Sequence, residues 1–322
     1  MLAAFAARTD AADPLSALEV ADLPEPAQRD GWTVVTVKAA ALNHHDLWSL
    51  RGVGLPAERL PMILGTDAAG VTPDGREVIV HAVIGGPGAP TGQAVAADEP
   101  RSLLSERYQG TLAEQVMVPT ANLVDKPAGL DWEDAACLPT AYLTAYRSLF
   151  RSGGATPGQR VLVQGAGGGV ASAAVVLGAA AGLEMVVTSR DAGKRERALQ
   201  LGAAEAVETG ARVGRVDMVL ESVGAATWSH SMSSVKPGGT VVVIGATSGD
   251  PTRMEISRLF FQEVHVVGAT MGTRDELARL AVFCARTGVR PVLDRTYALT
   301  DARDALARLA GGGQFGKIVV TP

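Results

Sequence analysis

Cysteine is almost missing from this chain: Cys137 and Cys284 are the only two among 322 residues. That excludes a disulfide-stapled scaffold and any cluster of thiolate metal ligands, and it suits reduced thiols in the cytoplasm. Aromatic residues make up only 4% and the formal charge is −5. With no basic run and no interleaving of aromatic and basic residues, nucleic acid is excluded as a partner. No apolar run reaches membrane length. The richest stretch, residues 170–187, is broken by Gly178, Gly182 and Glu184. Residues 1–9 lack the basic start and long apolar core of a signal peptide. The expectation is a soluble cytoplasmic protein with no membrane partner. Small and apolar residues are plentiful: 37 glycines and 47% hydrophobic residues, enough to bury a large core in two domains.

The most informative stretch is Val161-Leu162-Val163-Gln164-Gly165-Ala166-Gly167-Gly168-Gly169-Val170-Ala171. A short apolar run feeds a glycine cluster, and an alanine-rich helical run over residues 170–181 follows. Strand, glycine turn and helix in that order make a dinucleotide-binding βαβ unit. Glycine lets the backbone turn tightly and approach a pyrophosphate, and the helix aims its positive end at the phosphates. Ala166, Gly168 and Ala171 take the three positions of G-x-G-x-x-G; alanine at the first of them is a departure. Candidate phosphate contacts are Ala166, Gly167, Gly168, Gly169 and Val170.

β-branched runs continue at residues 185–188, 206–208, 216–220, 240–244 and 265–269. Helical patterns lie between several of them, one over residues 191–201 and stopped by Gly202. Six such runs predict a doubly wound, six-stranded parallel sheet covered on both faces. A dinucleotide site that prefers NAD places Asp or Glu about 20 residues past the glycines, on the ribose 2′-hydroxyl. Here Thr188, Ser189 and Arg190 stand there, with Lys194 close behind. No carboxylate repels a 2′-phosphate, and a hydroxyl and two cations are present to bind one. The expected cofactor is NADP(H).

The first half reads differently. Strand patterns at residues 32–41, 77–80 and 113–118 are punctuated by Pro56, Pro61, Gly65, Gly70, Pro73 and Gly75, which predicts a small β-rich domain. A helix is expected over residues 132–150, capped by Asp131, with Glu133 and Asp134 in its first turn. Residues 85–100 read as a surface loop. Trp48 reads as a packing residue or as a wall of an apolar substrate pocket, and Phe260 and Met271 read as packing residues.

The sequence Ala41-Leu42-Asn43-His44-His45-Asp46-Leu47, then Leu64-Gly65-Thr66-Asp67-Ala68-Ala69-Gly70, then Leu143-Thr144-Ala145-Tyr146, resembles the medium-chain dehydrogenase/reductase superfamily. Glu221-Ser222-Val223-Gly224, Lys236-Pro237-Gly238-Gly239 and Gly316-Lys317-Ile318-Val319 continue the likeness in order. The resemblance implies an α/β fold with two domains. A GroES-like β-rich catalytic domain occupies residues 1–127 and 273–322, and a Rossmann dinucleotide-binding domain residues 128–272. It further implies an active site in the cleft between them, with Asn43 and Thr144 converging on the nicotinamide. Cofactor contacts are expected at Thr144, Ser222, Val223, Gly245, Ala246 and Lys317.

Zinc members of that family hold a catalytic metal with Cys, His and Cys. The matching places here are Asn43, Thr66 and Thr140, none of them a thiolate or imidazole. The four-cysteine structural lobe would fall near residues 81–109, which contain no cysteine. His44, His45 and His81 cannot complete either geometry without further ligands. No metal is expected, and the resemblance is closest to the zinc-lacking quinone oxidoreductase and enoyl reductase branch.

Without a metal, other groups must stabilise negative charge as hydride arrives. Candidates are the Asn43 amide, the Thr144 hydroxyl and backbone N–H groups near Gly245 and Gly268. His44 or His45 is a candidate proton donor. Asp46 either caps a helix starting at Leu47 or touches substrate. The expected reaction is zinc-independent, NADPH-dependent reduction of a quinone or an α,β-unsaturated carbonyl. Alternatives are an alcohol dehydrogenase or aldehyde reductase, and a non-catalytic NADPH-binding protein. A homodimer is expected through the edge strand at residues 264–269, because a long apolar edge invites pairing.

Overall fold

The computed structural model describes residues 1–85, 100–251 and 253–322, so most of the loop expected at residues 85–100 lies outside the described residues. The chain divides into two compact units, residues 1–141 with 272–322, and residues 142–271. Residues 128–141 thus join the first unit rather than the second. The helix Trp132–Ala136 packs on the strands Trp32–Ala41 and Asp67–Val71 of that unit, and Arg290 pairs with Asp134 at 3.3 Å and donates to the Gly129 carbonyl at 2.7 Å. No helix among the described residues is long and apolar enough to cross a membrane.

The first unit is built around the strand Trp32–Ala41, expected at those bounds. Its first half pairs antiparallel with Gln115–Pro119 and its second half with Asp67–Val71. Its last residues also pair antiparallel with Lys317–Thr321, in the register Val319 to Ala41. This strand therefore brings the start of Asp67–Val71 and the strand Lys317–Thr321 together at its end, directly before the helix His44–Leu50. The buried faces carry small and β-branched side chains such as Val35, Val37, Ala39, Ala68, Val319 and Val320, which pack well on a pleated surface.

The second unit is the doubly wound sheet. Its strand order is Glu205–Val207, Glu184–Thr188, Arg160–Val163, Val216–Glu221, Val235–Val243 and His265–Gly268, all parallel. In chain order this is 3-2-1-4-5-6, so the order reverses beside Arg160–Val163, where the glycine turn begins. Val161, Leu162, Met185, Val186, Val219 and Val241 are fully buried, as strands covered on both faces require.

Some expectations change. The helix expected over residues 132–150 is a broken series: Trp132–Ala136, a wide turn Leu138–Tyr142, Leu143–Tyr146, and a second wide turn Arg147–Ser152. Asp131 precedes it but makes no side-chain cap. Phe260 is not a packing residue: it is 62% exposed, and Phe261 79%.

Candidate active site

In the first unit, the helix His44–Leu50 starts three residues earlier than expected, with Asn43 as its N-cap. Asp46 sits in its first turn, fully buried. Its carboxylate accepts from the Asn43 backbone N–H at 2.8 Å and from the Gly65 N–H at 2.9 Å. Burial pushes its pKa above the ordinary carboxylate value, against the pull of those two N–H groups. Asp46 therefore joins two backbone segments and does not cap a helix beginning at Leu47.

Asn43, Thr66 and Thr140 come together. The Asn43 amide nitrogen donates to Thr66 Oγ1 at 3.0 Å and to Asp67 Oδ2 at 2.9 Å. The Thr66 and Thr140 hydroxyls lie 3.1 Å apart. Thr140 donates a short bond to Asp67 Oδ1, and Thr66 Oγ1 lies 3.3 Å from the same oxygen. Lys317 closes the cluster: its ammonium donates to the Leu42 carbonyl at 2.6 Å, Asn43 Oδ1 at 2.7 Å and Asp67 Oδ2 at 3.2 Å. Asn43, Thr66, Asp67 and Lys317 are buried, while Thr140 is half-buried.

Two expectations meet this geometry. Asn43 was expected to donate to a developing oxyanion, yet both N–H groups of its amide are already engaged. Lys317 was expected beside the cofactor, yet its three N–H groups all have partners inside the first unit.

The cluster stands at the positions that the sequence resemblance aligned with zinc ligands, and its donors do not fit zinc. A carboxamide and two hydroxyls replace the thiolates and imidazole that zinc prefers, and an ammonium already fills the polar centre. Among the described residues, no group of three or more His, Cys, Asp or Glu is placed to hold a metal ion. Cys137 and Cys284 are both buried, and burial raises both thiols, Cys284 to about 12.

The histidines separate. His44 opens the helix and reaches solvent. The protein packed around its ring lowers its pKa, and the Lys317 ammonium and Arg51 lower it further. His45 turns the other way, with Nε2 3.1 Å from Glu106 Oε1 and Nδ1 3.3 Å from Ser105 Oγ. His81 is fully buried and donates from Nε2 to the Gly272 carbonyl at 2.9 Å.

In the second unit, the strand Arg160–Val163 runs into the glycine turn, and the helix begins at Gly169. Gly165 has φ +95°, a conformation glycine takes without strain. Gly168 is the N-cap and offers no side chain to the first turn, so the backbone N–H groups of Gly169 and Val170 have no side-chain cap. Orphan N–H groups at a helix start are an anion site. Thr188 is turned inward, donating to Gln164 Oε1 at 2.9 Å and accepting from Gly165 N at 3.3 Å. Ser189 is half-buried and Arg190 exposed. Asp191 caps the next helix by accepting from Lys194 N at 2.9 Å, which gives this carboxylate structural work. Ser222 donates to the Gln164 carbonyl at 3.3 Å, and a Cβ on Gly245 would lie 3.2 Å from the Ser222 carbonyl. Ala246 is exposed, as is Gly268 at the end of the last strand. Thr144 is buried in the segment Leu143–Tyr146. These features fit a phosphate-bearing dinucleotide.

Sequence reading missed the support beneath this turn. Glu221, fully buried, accepts from the Val223 and Gly224 N–H groups and from Thr227 and Ser231. Gln164 donates to Ser231 at 3.0 Å and bonds His230 Nδ1 at 2.8 Å. The signal was present in the sequence: a glutamine and a glutamate each directly follow a run of buried strand residues, where polar side chains need partners.

Residues 29–128 match the family described as alcohol dehydrogenase GroES-like domain, and residues 196–320 the family described as zinc-binding dehydrogenase. A crystal structure of an NAD-dependent alcohol dehydrogenase is 30% identical, with TM-score 0.89 over 100% of both chains. A cobalt- and zinc-bound thermostable alcohol dehydrogenase from Pyrobaculum aerophilum is 28% identical, with TM-score 0.89, covering 100% of this chain and 99% of that one. An acryloyl-coenzyme A reductase of Sulfurisphaera tokodaii is 25% identical over 96% of this chain and 98% of its own length.

Proposed function

The chain belongs to the medium-chain dehydrogenase/reductase superfamily and is an oxidoreductase, and from that premise we propose that it reduces an α,β-unsaturated carbonyl or a quinone with NADPH and without a catalytic metal. The observation that carries this reading is the cluster of Asn43, Thr66, Thr140, Asp67 and Lys317 in place of a zinc donor set. A relative named for acryloyl-coenzyme A, an α,β-unsaturated thioester, supports the substrate class.

Bound NADPH supplies the hydride. The chain's own residues bind, orient and handle the proton. The helix start at Gly169 and the amine of Lys194 serve the phosphates, and Arg190 and Ser189 the 2′-phosphate. Thr144 stays in the proposal as a cofactor contact. Hydride arriving at the β-carbon leaves negative charge on the carbonyl oxygen, which needs fixed donors, and the α-carbon then takes a proton. His44 is the candidate to pass that proton from solvent; with its pKa lowered it is mainly neutral at pH 7 and works as a relay.

Alcohol–carbonyl interconversion is favoured by one observation. Thr140 donates to the Asp67 carboxylate. A substrate O–H can then give its proton to Thr140 Oγ1 as Thr140 passes its own to Asp67. The test is a panel of quinones, enones, enoyl thioesters, aldehydes and alcohols with NADPH or NADP. Loss of enone absorbance supports the first reading, formation of an alcohol the second, and no turnover leaves a cofactor-binding protein.

A further inference from the structure

Lys317 is only 2% exposed. An ammonium leaves water only where acceptors replace its hydration. The Leu42 carbonyl, Asn43 Oδ1 and Asp67 Oδ2 do so at 2.6, 2.7 and 3.2 Å, and three acceptors complete the set for three N–H groups. The backbone fixes where the amine arrives. Lys317 begins the strand Lys317–Thr321, which pairs with the end of Trp32–Ala41 through Val319 and Ala41. Asp67 begins the neighbouring strand Asp67–Val71 on the other side.

Asp67 is the hub. It accepts from Lys317 and Asn43 on Oδ2 and from Thr140 on Oδ1. Its charge is balanced by Lys317, the one cation bonded to it among the described residues. Without that cation, the Asn43 carbonyl oxygen loses a donor, and its amide is free to flip. The Thr140 hydroxyl then faces an uncompensated carboxylate.

We propose that Lys317 is the built-in cation of this site, a positioning residue that neutralises Asp67 and fixes the Asn43 amide and the Thr66–Thr140 hydroxyl pair in the arrangement that meets substrate. The role rests on the oxidoreductase reading above, but its test does not need turnover.

The full chain carrying Lys317→Ala is titrated with n-propylammonium chloride, which restores the missing methylenes and amine, against tetramethylammonium chloride at equal ionic strength. The unfolding midpoint is expected to rise saturably with propylammonium alone. Lys317→Ala/Asp67→Asn, with no carboxylate to balance, should not respond. On an active substrate, Lys317→Ala should lose about tenfold or more in kcat, the scale of a disturbed polar array in a catalytic site, and regain part of it with propylammonium. NADPH affinity, read by fluorescence, should stay within about twofold, because the glycine turn carries that binding. A midpoint indifferent to propylammonium overturns the proposal, as does a loss that falls on NADPH affinity instead of kcat. Should Lys317→Ala fail to fold, Lys317→Gln, which keeps a neutral donor and leaves Asp67 in place, decides the matter. Lowered kcat with unchanged NADPH affinity supports the role, and full activity refutes it. If the starting protein turns over nothing in the panel, the reaction assignment fails, and the midpoint titration still decides the role of Lys317.

Discussion

The Lys194 side chain lies across Gly167: a Cβ added to that glycine would stand 2.6 Å from Lys194 Cδ and 3.1 Å from Nζ. The helix Ala192–Gln200 thus hands its amine to the turn that starts the helix Gly169–Ala180. An ammonium beside orphan backbone N–H groups strengthens an anion site. Arg190 is exposed at the preceding strand end. Arg190→Ala should weaken NADPH about tenfold or more, on the scale of one lost charge-assisted contact of roughly 1.5–3 kcal/mol, and leave NADH nearly unchanged. Fluorescence titration of both cofactors measures this, and equal affinities in the starting protein would sink the assignment.

The metal prediction follows from donor chemistry. Elemental analysis should find well under one zinc per chain, and a chelator should leave activity intact. Activity that dies with a chelator and returns with zinc would contradict the reading of Asn43, Thr66 and Thr140.

Much of the fold was legible in the sequence because its signals are local. The strand Trp32–Ala41 alternates, and the glycines after Val163 break the strand where a turn leads into a helix. The site was less legible, because its logic is long-range. Lys317 meets Asn43 across 274 positions and Asp67 across 250. A lysine followed by Ile318-Val319-Val320 reads equally as a strand end or a ligand contact. The inward turn of Thr188 depends on Gln164, 24 positions away. The ambiguity at Asp46 is local: Asn43 precedes it with equal capping chemistry, and the helix takes the earlier cap, beginning three residues before Leu47.

The His45–Glu106 pair predicts a pH dependence. Burial alone would pull His45 down, but the Glu106 hydrogen bond and the charges of Asp46, Glu106 and Asp67 outweigh it and raise its pKa above 6.5. Burial would raise Glu106, yet the His45 bond and the Leu103 N–H hold it below 4.5. A raised histidine stabilises the fold fully below its unfolded pKa, and that contribution is lost as pH rises through the folded value. A lowered carboxylate stabilises above its unfolded value, and its contribution is lost as pH falls through the folded one. The pair is therefore worth most between the Glu106 and His45 values. The unfolding midpoint should decline above pH 6.5, and His45→Gln should flatten that decline. An unchanged slope in the variant would show that other groups cause it.

The strand His265–Gly268 ends the sheet of the second unit, and its outer side has no strand partner among the described residues. The helix Ile256–Phe261 before it exposes Ile256, Phe260 and Phe261. An unpaired edge beside exposed apolar side chains is a surface for self-association, and a homodimer is the expected state. Light scattering at micromolar concentration should return twice the chain mass. Val266→Pro, which removes a backbone donor from the edge strand, should shift it toward monomer. A monomer mass in the starting protein would end the proposal.

The roles of Asn43 and Thr140 can be separated. Asn43 spends both amide hydrogens on Thr66 and Asp67, so it shapes the site without facing a ligand, whereas Thr140 is half-buried. If Thr140 presents the working hydroxyl, Thr140→Val removes it at nearly constant volume and should slow hydride transfer by about 10²-fold or more, the usual cost of one essential polar group in an active site. Thr140→Ser should keep most of the rate. Asn43→Ala should also slow transfer, but by way of disorder: it strips a bond from Thr66 and one from Lys317, and should lower the unfolding midpoint as well. His44→Ala tests proton delivery separately, with a loss of roughly 10²-fold if it is a dedicated donor and a mild loss if solvent serves. Single-turnover oxidation of bound NADPH on an active substrate reads all of them. A Thr140→Val enzyme as fast as the starting protein, beside a crippled Asn43→Ala, would return the donor role to Asn43 and require its amide to turn outward when substrate binds.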